Sequence, residues 1–98
     1  MPSTGPVQIG SGADRPSLAP HVRLTFDPAR GRHVLLAPEA VSLLNGTGAA
    51  VLALCDGNRT VAEIVAQLRG RYERVDDDEV LLFLDRLAAR RCVEAGRD

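Results

Sequence analysis

Lysine and tryptophan are missing from this 98-residue chain, aromatic residues make up 3%, and only two cysteines occur. All twelve basic residues are therefore arginine, set against thirteen acids for a formal net charge of −1. A protein that grips duplex DNA draws most of its affinity from phosphate neutralisation, so this balance argues against nucleic acid as a partner. Cys55 and Cys92 stand far apart with no CxxC between them. Two cysteines cannot make a structural zinc site, and they read as buried small hydrophobes in a reducing compartment. Long apolar runs are lacking too: Ala49 to Cys55 and Val80 to Leu84 fall far short of the ~18 residues of a spanning helix. With no basic flank and apolar segment of a secretory signal, a cytoplasmic protein without a membrane partner is expected.

Signatures of catalysis are equally scarce. His21 and His33 are the only imidazoles, both at expected strand starts, and neither has a Ser or Cys at dyad spacing. Glu39, beside Pro38, is expected to bond nearby amides at a corner. The run Asp76-Asp77-Asp78-Glu79 lacks the spacing and glycine of a calcium loop. No phosphate-cradling glycine loop is present. The expectation is a protein that is not an enzyme, with no catalytic, cofactor-binding or metal residue and no cofactor.

What the chain does contain is the material for one small domain. Ten of the first twenty residues are Gly, Pro or Ser, and residues 1–19 are expected to form a disordered tail, leaving a domain over 20–95. From His21 the pattern alternates, with Val22, Leu24 and Phe26 on one side, as in a half-buried strand. Asp27 to Gly31 supplies a turn, His33 to Ala37 a second strand, and Pro38 a corner. Ala40 to Leu44 makes a third strand, with Val41 and Leu43 on one side and Ser42 and Leu44 on the other.

Three helices follow. Asn45 caps a first helix from Gly46 to about Cys55, stopped at Asp56-Gly57. Thr60 and Glu63 form a capping box ahead of an amphipathic helix bearing Val61, Ile64, Val65, Leu68 and Tyr72 on one face. Asp76 to Glu79 opens a third helix running to about Arg91, where acids complement the macrodipole. Its core face is Val80, Leu81, Phe83, Leu84, Leu87 and Ala88. Leu82 and Ala89 fall on the opposite side and, with Arg86 and Arg90, make an apolar strip edged with basic groups. Cys92 to Glu94 can pair briefly with the sheet.

Three N-terminal antiparallel strands followed by three helices predict an α+β, winged-helix-like domain. A DNA-binding regulatory domain is the alternative reading, but no wing follows the third helix and that helix begins with four acids. The three-stranded sheet leaves an edge that neither Lys nor Pro blunts, which is a template for an incoming peptide strand. The same edge could pair two chains as a homodimer.

Arg23-Leu24, Asp27, Leu35-Leu36-Ala37-Pro38-Glu39, Leu44-Asn45, Leu54-Cys55-Asp56-Gly57, Thr60-Val61 and Glu63-Ile64, in this order and spacing, resemble the PqqD family over residues 20–94. The resemblance implies a RiPP recognition element in pyrroloquinoline quinone biosynthesis. Such a peptide chaperone is non-catalytic and binds the precursor peptide PqqA. It presents that peptide to the radical SAM enzyme PqqE, which cross-links a Glu and a Tyr of the precursor. In that family the peptide adds beside the third strand and packs on the third helix. Carried over, this implies a peptide site at Val41, Ser42, Leu43 and Leu44 with Leu82, Arg86, Ala89 and Arg90. The chain departs from the family at Gly46 and Gly48, and at Arg91, where a glycine often ends the third helix.

Overall fold

The computed structural model describes residues 12–38 and 40–96. In chain order the elements are β1 (Arg15–Leu18), β2 (Arg23–Asp27), β3 (Arg32–Ala37), β4 (Ala40–Leu43), α1 (Gly46–Ala53), α2 (Val61–Arg69), α3 (Asp77–Ala89) and β5 (Val93–Gly96). Strands β2, β3 and β4 form one antiparallel sheet in that order, and β1 pairs with β5 in a second. The α+β architecture of strands followed by three helices is the one that the hydrophobic pattern implies.

The β2–β3 turn is built by its own polar groups. Asp27 Oδ1 accepts from the Ala29 amide at 2.9 Å, and the Asp27 carbonyl accepts from Gly31 at 2.8 Å. Gly31 has φ 67°, which suits a residue without a Cβ. An ion pair with Arg30, 2.6 Å away, holds the Asp27 carboxyl below its ordinary pKa. Each helix likewise begins on a side chain. Asn45 accepts from Gly48, Asp76 from Asp78 and Glu79, and Thr60 and Glu63 bond each other's amides at 3.1 and 2.8 Å.

The three helices bury one continuous core against the inner face of the larger sheet. Leu35 and Leu44 from the sheet meet Val51 and Leu52 of α1, Ile64 and Leu68 of α2, and Leu84 and Leu87 of α3. Leu35, Leu52, Ile64, Leu68 and Leu84 are almost wholly out of water, each contributing ~1.5–3 kcal/mol of hydrophobic stabilisation.

The expected tail over 1–19 is corrected from Arg15 onward; its first eleven residues lie outside the described residues. Arg15–Leu18 is a strand, with Pro16 opposite Ala95 and Leu18 opposite Val93. Pro16 has no amide to donate, but its carbonyl accepts from Gly57 at 2.9 Å and its ring is buried. The Ala19 amide bonds the Cys92 carbonyl at 2.9 Å, extending the same seam. The expected pairing of Cys92 to Glu94 with the main sheet is corrected with it, because β1 occupies that partner position.

Two helix ends also differ from expectation. Helix α1 stops at Ala53 with Leu54 as its cap, two residues short of Cys55. Gly57 has φ 81°, yet its amide serves Pro16 of β1 and no helix carbonyl, so the left-handed residue builds a bridge between elements. Helix α3 stops at Ala89 with Arg90 as its cap, two residues short of the expected Arg91, which follows at φ 63° with its N–H donating to Ala88 O while Cys92 N–H donates to Leu87 O, both at 2.9 Å. That is a Schellman cap formed without its customary glycine.

Candidate functional site

Strand β4 is the last strand of its sheet. Register pairs Val34 with Leu43, Leu35 with Ser42, Leu36 with Val41 and Ala37 with Ala40. The Leu44 amide donates to the His33 carbonyl at 3.0 Å, which sets the phase of the ladder. Hydrogen-bonded pairs recur every second residue in an antiparallel ladder. The main-chain groups of Ser42 therefore turn toward β3, and those of Val41 and Leu43 turn outward, where no further strand lies among the described residues.

Local chemistry fixes the end of this edge. Arg32 donates from Nε and Nη2 to the Leu44 carbonyl at 3.2 and 3.0 Å, tying the start of β3 to the end of β4. Asn45 then accepts from the Gly48 amide at 2.7 Å, turning the chain directly into α1. Glu39, expected at the preceding corner, lies outside the described residues. Leu44 is buried, while Val41 and Leu43 are 57% and 51% exposed.

A cleft of about 330 Å³ lies between the end of β4 and α3. Leu43, Leu44, Asn45, Thr47, Gly48 and Val51 line one side, and Val75, Asp76, Glu79, Val80 and Phe83 the other, with Arg74 beside them. Its floor is apolar and its mouth charged, the usual make-up of a site that takes a side chain. Gly48 lets the Phe83 ring come close: a Cβ there would stand 3.3 Å from the ring and 3.1 Å from Asn45 Oδ1.

Charge along α3 is divided. Asp76 caps the helix, Asp77 pairs with Arg69, and Asp78 and Glu79 are exposed, whereas Arg86 and Arg90 are exposed near the other end. The acids of the first turn and the arginines of the last sit where the helix dipole favours them, while Asp85 lies between. The structure therefore supplies a structural role for two of the four acids.

Of the eight residues that the sequence nominates, Leu43 and Leu44 line the cleft, and Val41 and Ser42 continue the same edge. Leu82, Arg86, Ala89 and Arg90 are exposed as expected, with Leu82 at 50%, but none of the four lines the cleft. They occupy the solvent side of α3, around the helix from Phe83. Sequence reasoning missed Thr47, Gly48, Val51, Glu79 and Phe83. Phe83, expected on the core face of α3, is half-buried: it packs against the core and also faces the cleft. A signal for it was available in Gly48, an unfavourable residue in a helix's first turn that marks close approach.

The reactive side chains outside the cleft have structural surroundings. Cys55 and Cys92 are free and buried. Burial pushes the Cys55 thiol up to about 12, and its Sγ lies 3.2 Å from the Val51 carbonyl. His33 stands edge-on to Phe26 across the β2–β3 ladder, ring centroids 5.1 Å apart. Among the described residues no helix is long and apolar enough to cross a membrane.

Comparison with known proteins agrees with this geometry. Residues 32–93 match the family described as Coenzyme PQQ synthesis protein D (PqqD). A PqqA binding protein of Azotobacter vinelandii is 41% identical over 83 residues, covering 83% of this chain and 90% of that protein. The bifunctional coenzyme PQQ synthesis protein C/D of Methylorubrum extorquens is 43% identical over 88 residues, 86% of this chain but 23% of that longer protein. The solution NMR structure of the PqqD truncation of Methylobacterium extorquens PqqCD, described as a functional and stand-alone RiPP recognition element, aligns with a TM-score of 0.73 and 42% identity. It covers 86% of this chain and 93% of that one. An exposed strand edge facing a cleft, a matched family over most of the described residues and a shared fold at this identity converge on one statement: the chain belongs to the PqqD family.

Proposed function

We propose that this chain is a cytoplasmic, non-catalytic peptide chaperone of pyrroloquinoline quinone biosynthesis. It binds the precursor peptide PqqA as an added strand along Val41 to Leu44 and presents it to the radical SAM enzyme PqqE. The observation that carries this reading is the outward-facing main chain of Val41 and Leu43 beside a cleft walled by α3. Strand addition draws affinity from main-chain hydrogen bonds and specificity from pockets for alternate side chains. Relatives named for PqqA binding, and a recognition element of the same fold, support the choice of peptide.

Leu82, Arg86, Ala89 and Arg90 belong to this proposal as a flanking strip, reached by peptide beyond the cleft. The acids at the start of α3 weigh against the DNA reading, since they would repel phosphate. Self-pairing of two chains through β4 would use the same edge, and peptide should therefore compete with it.

Calorimetry with PqqA tests the reading. Binding at about 1 μM or tighter, about −8 kcal/mol, is expected. No heat with the peptide at tens of micromolar would refute it, and sedimentation with and without peptide separates a complex from a homodimer.

A further inference from the structure

The two faces of β4 bear on which side chains the peptide must carry, an inference that rests on the strand-addition reading above. Register puts Val41 and Leu43 on the outer face of the sheet, beside Leu36 and Val34 of β3. Val34 is only 3% exposed, yet it is not part of the hydrophobic core beneath the sheet. Its cross-strand partners Thr25 and Leu43 flank it on that outer face. The outer face thus carries a small apolar stripe of its own, which runs outward to Val41 and Leu43 and stops where a further strand would lie.

A strand that merely closes a sheet presents polar groups to solvent and protects its edge. This one is apolar and more than half exposed at both positions whose main chain also points outward. On the inner side of the same edge, the cleft is floored by Val51, Val80 and Phe83. A strand added here must alternate its side chains between the stripe and the cleft. Either direction of pairing gives the same result, because residues opposite one another share a face.

We propose that β4 recognises consecutive apolar residues in the precursor peptide. Those opposite Val41 and Leu43 lie on the outer stripe, and an immediate neighbour of the latter enters the cleft over Phe83. A one-sided groove would instead select apolar residues at alternate positions. The occupant is the peptide strand itself, since the stripe is continuous with the edge at which that strand pairs.

Double-mutant cycles by calorimetry test this. Val41→Thr and Phe83→Leu are each combined with PqqA peptides in which one apolar residue is replaced by Ser. Val41→Thr keeps a β-branched side chain and should leave the melting temperature unchanged while weakening the peptide about two- to five-fold. Its effect should couple to one peptide residue, and that of Phe83→Leu to another an odd number of positions away. Unchanged affinity in Val41→Thr, or coupling to residues an even number apart, overturns the inference and leaves strand addition standing. Failure of the unaltered protein to bind PqqA overturns both.

Discussion

Proline at position 41 tests the outward main chain of β4. The Val41 amide points away from β3, so proline there removes no bond of the native ladder. Edge strands accept proline when the lost donor faces solvent, and Ala40 before it is already extended. Against an incoming strand the same change deletes one hydrogen bond, worth about 0.5–1.5 kcal/mol net. It also strands the partner carbonyl at about 1–3 kcal/mol if that carbonyl is buried. Val41→Pro should therefore weaken PqqA binding by about tenfold or more, each 1.4 kcal/mol being about tenfold.

Ser42→Pro is the control that gives the test its force. Ser42 pairs with Leu35 in the hydrogen-bonded phase, so proline there breaks the ladder of the folded protein. A loss of about 1–3 kcal/mol is expected. In a domain of this size that lowers the melting temperature by roughly 4 °C or more. Calorimetry and thermal denaturation on both variants read the difference. Wild-type affinity in Val41→Pro, or equal thermal loss in the two, would refute the assignment of outward and inward groups and strand addition along with it.

Other changes probe the surroundings. Gly46→Ala meets no atom within 4 Å and should gain up to about 1 kcal/mol from helix propensity with affinity unchanged. In Gly48→Ala that gain is offset by the crowding of Phe83, so stability should stay within about 1 kcal/mol while PqqA affinity, measured in the same titration, falls. Leu82→Asp should leave thermal stability within about 0.5 kcal/mol and weaken PqqA binding, whereas a large thermal loss would place Leu82 in the core. Arg91→Gly should stabilise by about 1 kcal/mol in denaturant titration, because φ 63° is costly for arginine and free for glycine. Hydrogen bonding to Thr60 holds the Glu63 carboxyl below its ordinary 4.5. Its contribution is therefore complete above pH 4.5 and lost as pH falls through the lowered folded value. A Glu63→Gln variant should flatten that acid limb in a stability–pH profile.

The elements most legible in the sequence were those whose signals are local. The Thr60–Glu63 box, the Asn45 cap and the acidic start of α3 each act within one turn: the box and the Asn45 cap appear with the expected partners, and α3 does open at these acids, capped by Asp76. Leu82 stood out because a single helix period sets its face, and it is exposed. Strand β1 was not legible, since its partner β5 lies at the far end of the chain and Pro16 and Ser17 look like tail residues until that partner is supplied. Phe83 was legible in part: periodicity correctly turns it toward the core, against which it packs, but does not tell where a cleft opens beside it.

What ties the site to the core is register. Leu44 is buried and Leu43 exposed, so a slip of one residue in β4 would bury Val41 and Leu43 and turn Ser42 and Leu44 to solvent. The same slip would point the outward amides of Val41 and Leu43 into the sheet. Burial of Leu44 therefore holds the main-chain groups available to a peptide, and Arg32 fixes that residue's carbonyl. Under the proposed strand addition, sequence change at Val41 or Leu43 alters which peptide is preferred without moving the edge. Change at Leu44 or Arg32 would move the edge for every peptide alike.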